Sequence, residues 1–84
     1  MLFHITQTHV PESCPKDEGG SSALYDPDVE GLTLKAMYGA FAEHTIYYVV
    51  EADNLSAVNR FLFPGFKRCA CKITPVSEES IVKS

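Results

Sequence analysis

Six side chains of this 84-residue sequence carry atoms that bind late transition metals, His4, His9, His44, Cys14, Cys69 and Cys71, and all but His4 can gather at one edge of the fold read below. Imidazole nitrogen and thiolate sulfur are the donors that zinc and its neighbours prefer. No two cysteines have the Cys-x-x-Cys spacing of a metal knuckle, so a site here depends on the fold to gather its members. On a strand, residues placed like Cys69 and Cys71 have Cα atoms about 6.6–6.8 Å apart, the outer limit for a disulfide. A relaxed bridge between them is not expected. The candidate metal set is His9, Cys14, His44 and Cys69, holding zinc or another transition metal. Glu12 and Glu43 are carboxylates placed to orient the two imidazoles. A competing reading gives these residues no ligand: the last-strand cysteines are small buried hydrophobes, the histidines close strand ends, and the glutamates are solvated loop charges.

A second group centres on His4, with Thr6 and Tyr47 as its companions. A histidine beside hydroxyls and an aromatic ring can act as a general base or bind a small polar ligand. Tyr48 replaces Tyr47 in this group if the strand register differs by one. As an ordinary interface residue, His4 would need none of this. Gly19-Gly20-Ser21-Ser22 could present backbone N–H groups to an anion, but it lacks the lysine and strand-to-helix setting of a phosphate loop and reads equally as a linker. Tyr25 and Tyr38 are core or rim aromatics. The sequence contains no nucleophile elbow, no Ser/His/Asp order and no dinucleotide fingerprint.

The elements that would position these groups follow from periodicity. Leu2 to Val10 alternates and stops at Pro11, a first strand with Phe3 and Ile5 on one face and His4, Thr6 and Thr8 on the other. Residues 11–31 form an irregular crossover. Ser21 and Ser22 offer a cap for a short helix at Ala23–Tyr25, and Asp26-Pro27 through Gly31 suggests one further helical turn. Leu32 to Phe41 forms a second strand, with Leu32, Leu34, Ala36 and Tyr38 on one side. Thr45 to Glu51 is β-branched and aromatic, the clearest strand of the chain. The short link makes it a hairpin with the second strand. Asp53 or Asn54 caps a helix running to about Phe63, where Ala57, Val58, Phe61 and Leu62 make one buried face. Cys69 to Val76 is the fourth strand, with Cys69, Cys71 and Ile73 on one face, and residues 77–84 are a frayed tail.

Strand, broken helix, strand, strand, helix, strand predicts an α+β, ferredoxin-like βαββαβ domain spanning residues 1–84. Its four-stranded antiparallel sheet has the order 4-1-3-2, with the helices on one face. In that order the end of the first strand (His9), the start of the third (His44) and the start of the fourth (Cys69) share one edge of the sheet. Strands 1 and 3 carry apolar or aromatic residues on both faces, and the helices cover only one. The other face calls for a second copy of the chain, hence a homodimer.

Composition excludes several classes. Apolar residues make up 45% and charged residues 21%, so the chain is not disordered. The net charge of -4 and the scattered basic residues, with only Lys67 and Arg68 adjacent, leave no stripe to follow a phosphate backbone. Nucleic acid is not an expected partner. No apolar run approaches the ~20 residues that span a bilayer, and no basic-then-apolar leader follows Met1-Leu2-Phe3, so neither a membrane nor a signal peptide is expected. Three cysteines are too few and odd in number for a secreted disulfide framework, which predicts thiols in the cytoplasm.

The chain also resembles the dimeric α/β-barrel group of ferredoxin-like proteins, and within it a small family of bacterial and archaeal domains of unknown function. The residues that carry the likeness are Met1-Leu2-Phe3, His9-Val10-Pro11-Glu12-Ser13-Cys14-Pro15, Glu43-His44-Thr45, Val50-Glu51-Ala52-Asp53 and Ile73-Thr74-Pro75-Val76. Lys16 to Glu30 departs from the pattern: the resemblance implies a longer first helix, which the glycine pair opposes. It implies the fold and a homodimer, and no activity. The expected function is a homodimeric module binding a small ligand or metal ion. The alternatives are a cofactor-independent enzyme, of monooxygenase or isomerase type, working in the barrel interior with His4 as base, and a structural or regulatory subunit without a pocket.

Overall fold

Every second residue of strand β1 (Leu2–His9) is buried: Phe3, Ile5 and Gln7 face inward, while Leu2, His4 and Thr6 are half-exposed on the other side. This period of two sets the frame for the domain. The computed structural model describes residues 1–79, and the end of the expected frayed tail lies outside the described residues. β2 (Leu32–Ala40), β3 (Thr45–Ala52) and β4 (Cys69–Val76) join β1 in one antiparallel sheet of order β2-β3-β1-β4. This is the expected order, and the arrangement is α+β and ferredoxin-like. The register sets Ile5 opposite Tyr48 and Thr6 opposite Tyr47, so Tyr48 is buried and Tyr47 shares the outer face with His4.

One α-helix, α1 (Leu55–Leu62), packs on the inner face. Asn54 caps it by accepting the Ala57 N–H at 2.9 Å. Ala57, Val58, Phe61 and Leu62 are its buried residues, as their spacing predicts. The Phe61 ring meets Tyr48 edge-on at 5.0 Å and Tyr25 at 5.6 Å, joining helix, sheet and first crossover in one aromatic cluster. No helix of the described residues is long and apolar enough to cross a membrane.

The first crossover, residues 10–31, is described throughout and contains no α-helix. It makes two 3-10 turns, Pro11–Ser13 and Gly20–Ala23. The expected helical turn after Asp26 is an Asx turn, in which Asp26 Oδ1 accepts the Asp28 N–H at 2.9 Å. Leu24 anchors the segment in the core. A buried polar relay holds it there: the Tyr48 hydroxyl donates to Gln7 Oε1 at 2.7 Å, and Gln7 Nε2 donates to the Leu24 carbonyl at 2.9 Å.

β2 departs from simple alternation. Leu34 pairs with Val50 and Ala36 with Val49, so Lys35 forms a bulge. Leu32, Leu34 and Met37 pack against the core, whereas Tyr38 is 67% exposed on the outer face. The expectation that Leu32, Leu34, Ala36 and Tyr38 share a side is thus corrected. The extra residue shifts the strand's phase, so that Met37 and not Ala36 stands opposite the buried Tyr48 and packs on the core.

Candidate metal centre

β1 ends where Pro11 removes a backbone donor, and His9 is its last residue. The His9 N–H donates to the His44 carbonyl at 3.0 Å, the last rung between β1 and the chain entering β3. His44 follows a 3-10 turn at Phe41–Glu43 and adopts a left-handed backbone, φ 51° and ψ 42°. Among the described residues it is the one non-glycine with positive φ. That conformation costs roughly 1–2 kcal/mol for a residue with a Cβ. It turns the strand entry tightly and sets the imidazole beside His9: His44 Nδ1 lies 3.1 Å from His9 Nε2, with the rings edge to face at 5.0 Å.

Cys14 comes from the first crossover, and the polypeptide around it is tied down. Its N–H donates to the Pro11 carbonyl at 3.2 Å, and the Ser13 hydroxyl bonds the Arg68 carbonyl at 3.1 Å, with Val10 at 3.2 Å. Arg68 also pairs with Glu18 across the loop. The result is a group in which His9, Cys14 and His44 each offer a ligand atom, all within 4.8 Å of one another. In a tetrahedral zinc site with bonds near 2.0–2.1 Å, two nitrogens stand ~3.3 Å apart. The two imidazoles already meet that spacing, and the thiol stands within 4.8 Å of both.

The protonation chemistry suits a cation at His9. Burial, then the neighbouring His44 and Arg68, lowers its pKa below the ordinary 6.5, so the ring is held neutral, the form that ligates metal. His9 Nδ1 is also the one buried side-chain polar atom without a hydrogen-bond partner among the described residues. It points away from Nε2, the nitrogen that faces His44, so it is a place for a hydrogen-bond partner that fixes the ring's tautomer and not for the ion itself.

The remaining candidates lie elsewhere. Cys69 is the cross-strand neighbour of His9 on β4, but the His9 ring leans toward β3. The Cys69 side chain instead lines a second cavity with Cys71, Ile73, Leu62, Phe63 and Phe66. Burial raises its pKa, away from the thiolate that a metal needs. The group gathered by the fold is therefore three-membered. Glu43 does not orient His44; its carboxylate accepts the Tyr47 hydroxyl at 3.3 Å and raises that phenol's pKa. No hydrogen bond joins Glu12 to His9 among the described residues. His4, Thr6 and Tyr47 do share the outer face, the His4 and Tyr47 rings 6.1 Å apart. They line neither of the two cavities described.

Sequence reasoning missed the cavity beside the metal group. It holds about 270 Å³ and is walled by Leu24, Ile46, Gly39 and Phe41, with His9, Cys14 and His44 among its lining residues. Gly39, inside a strand, was its one visible signal.

The sequence matches the family described as Domain of unknown function (DUF3303) over residues 1–81. The chain belongs to that family. No curated protein and no solved structure matches it. A family defined by sequence alone assigns no role to a residue, so the chemistry of a DUF3303 site has to be argued from its donors and their geometry.

Proposed function

We propose that this chain is a homodimeric module that binds a metal ion, zinc or a close relative, through His9, Cys14 and His44. The observation that carries this is the approach of one donor atom from each residue to within 4.8 Å. Two neutral imidazoles and one thiolate form a donor set that favours zinc over magnesium or calcium. The three cysteines are free, which supports a reducing, cytoplasmic setting for the thiol. Elemental analysis of protein purified without a histidine tag or chelator tests the reading directly. Zinc at a hundredfold excess over Kd should stabilise the fold by about 2.7 kcal/mol, and the gain should vanish in Cys14→Ser. Unchanged melting with zinc and with chelator would sink it.

The homodimer rests on the outer face of the sheet, where Leu2, His4, Thr6, Tyr47 and Val49 are half-exposed and no element of the described residues covers them. Light scattering at low micromolar concentration should give twice the 9.3 kDa chain mass; a clean monomer would remove the dimer. An enzyme using His4 as base depends on that same dimer, because only a second chain would enclose the ring. The metal reading needs no partner and is the better supported.

A further inference from the structure

The chain supplies three donors, and zinc sites with three protein donors keep a fourth position for an exogenous ligand. In this structure the three donors line the cavity of about 270 Å³. We propose, building on the metal reading above, that the fourth position opens into this cavity and takes a small aliphatic monoanion, a short-chain carboxylate whose head binds the ion and whose tail lies along the apolar wall.

Three observations point to that ligand. Charge selects the head group: a divalent ion held by two neutral imidazoles and one thiolate keeps a net positive charge, and Lys16 adds a second at the cavity lining. The wall selects the tail, because Leu24, Ile46, Pro15, Ala40 and Phe41 present hydrocarbon. The hydroxyl of Thr45 is already engaged, donating to the Glu43 carbonyl at 3.0 Å and meeting the Thr8 hydroxyl at 3.0 Å, so it does not ask for a polar body. Gly39 makes the room. It pairs with Ile46 and so faces the same side of the sheet, and a Cβ built on it meets nothing within 4 Å. A larger residue there fills the cavity without displacing its neighbours.

The test uses cobalt(II) as a visible stand-in for zinc. Loaded protein should show a sulfur-to-cobalt charge-transfer band and tetrahedral ligand-field bands. Acetate, butanoate and hexanoate are then titrated against the ligand-field bands. Affinity should rise about three- to fourfold per methylene until the cavity is full. Gly39→Val should keep the cobalt spectrum and the melting temperature and lose the dependence on chain length. Lys16→Gln should weaken all three carboxylates by a similar factor. If no cobalt spectrum forms, the metal reading fails and this proposal falls with it. If the spectrum forms but carboxylates leave it unchanged, bind without regard to chain length, or keep that dependence in Gly39→Val, the metal site stands and the carboxylate cavity is overturned.

Discussion

The crossover from β3 to β4 is a capped helix with four buried residues, whereas the crossover from β1 to β2 runs through two 3-10 turns with Leu24 as its core anchor. Both span the inner face of the same sheet. The helical crossover satisfies its backbone internally and gives its side chains to packing, with Phe61 at the centre of the aromatic cluster. The irregular one hands its backbone to turns and relays, leaves space beside β2 and β3, and delivers Cys14 to the two histidines. An ordered helix there would satisfy more backbone but close the space in which a ligand could sit. Stability and site have been assigned to different crossovers.

That division can be broken most severely at Phe61. Phe61→Ala should cost about 3–5 kcal/mol, enough to leave most of a domain this small unfolded. Chemical denaturation measures it, and a loss below about 1 kcal/mol would mean that the helix is not the main anchor.

The seam between the crossovers is the next place to press. Gly65 ends the helical crossover against the irregular one, and a Cβ there would stand 2.8 Å from the Leu24 carbonyl oxygen and 2.9 Å from Gln7 Nε2. Backbone cannot yield as a flexible side chain would, so Gly65→Ala should destabilise by about 1–3 kcal/mol. Gly20→Ala is a poor control because Gly20 has a positive φ; Gly39→Ala, with open space around its Cβ, is the right one and should be nearly neutral. Equal losses at positions 65 and 39 would show that the close approach is not what requires glycine.

The smallest effect belongs to the site. With chelator present, His44→Gly should change stability by less than about 1 kcal/mol, since relief of the left-handed backbone offsets the added chain entropy. The same variant should lose zinc-dependent stabilisation. A thermal scan with and without metal reads both, and a large loss in chelator would make His44 a packing residue.

Much of this was legible in residue order. Alternation in β1 and β3, the stripe from Ala57 to Leu62 and the short link before Thr45 lead to the sheet order, and the order places His9 and His44 at one end of neighbouring strands. Three features escaped for a shared reason: each depends on what a residue meets far along the chain. Gln7 has the inward parity of Phe3 and Ile5, yet an amide is acceptable there only because Tyr48 and Leu24 supply partners for it. Cys69 has the right edge and the right strand, but the lean of the His9 ring toward β3 excludes it. The Lys35 bulge follows from no local pattern, because an unbulged strand with the same composition is equally regular.

The bulge carries further than the strand that holds it. It acts as a frameshift confined to β2: the rest of the strand after Lys35, Ala36 to Ala40, is read onto the opposite side of the sheet. In the unshifted frame Tyr38 would stand opposite Ile46 and point its ring at the histidine pair, while Gly39 would move on to Thr45. One inserted residue therefore exchanges a phenol for a hydrogen atom at the cavity wall, and hands the displaced ring to the outer face beside Tyr47.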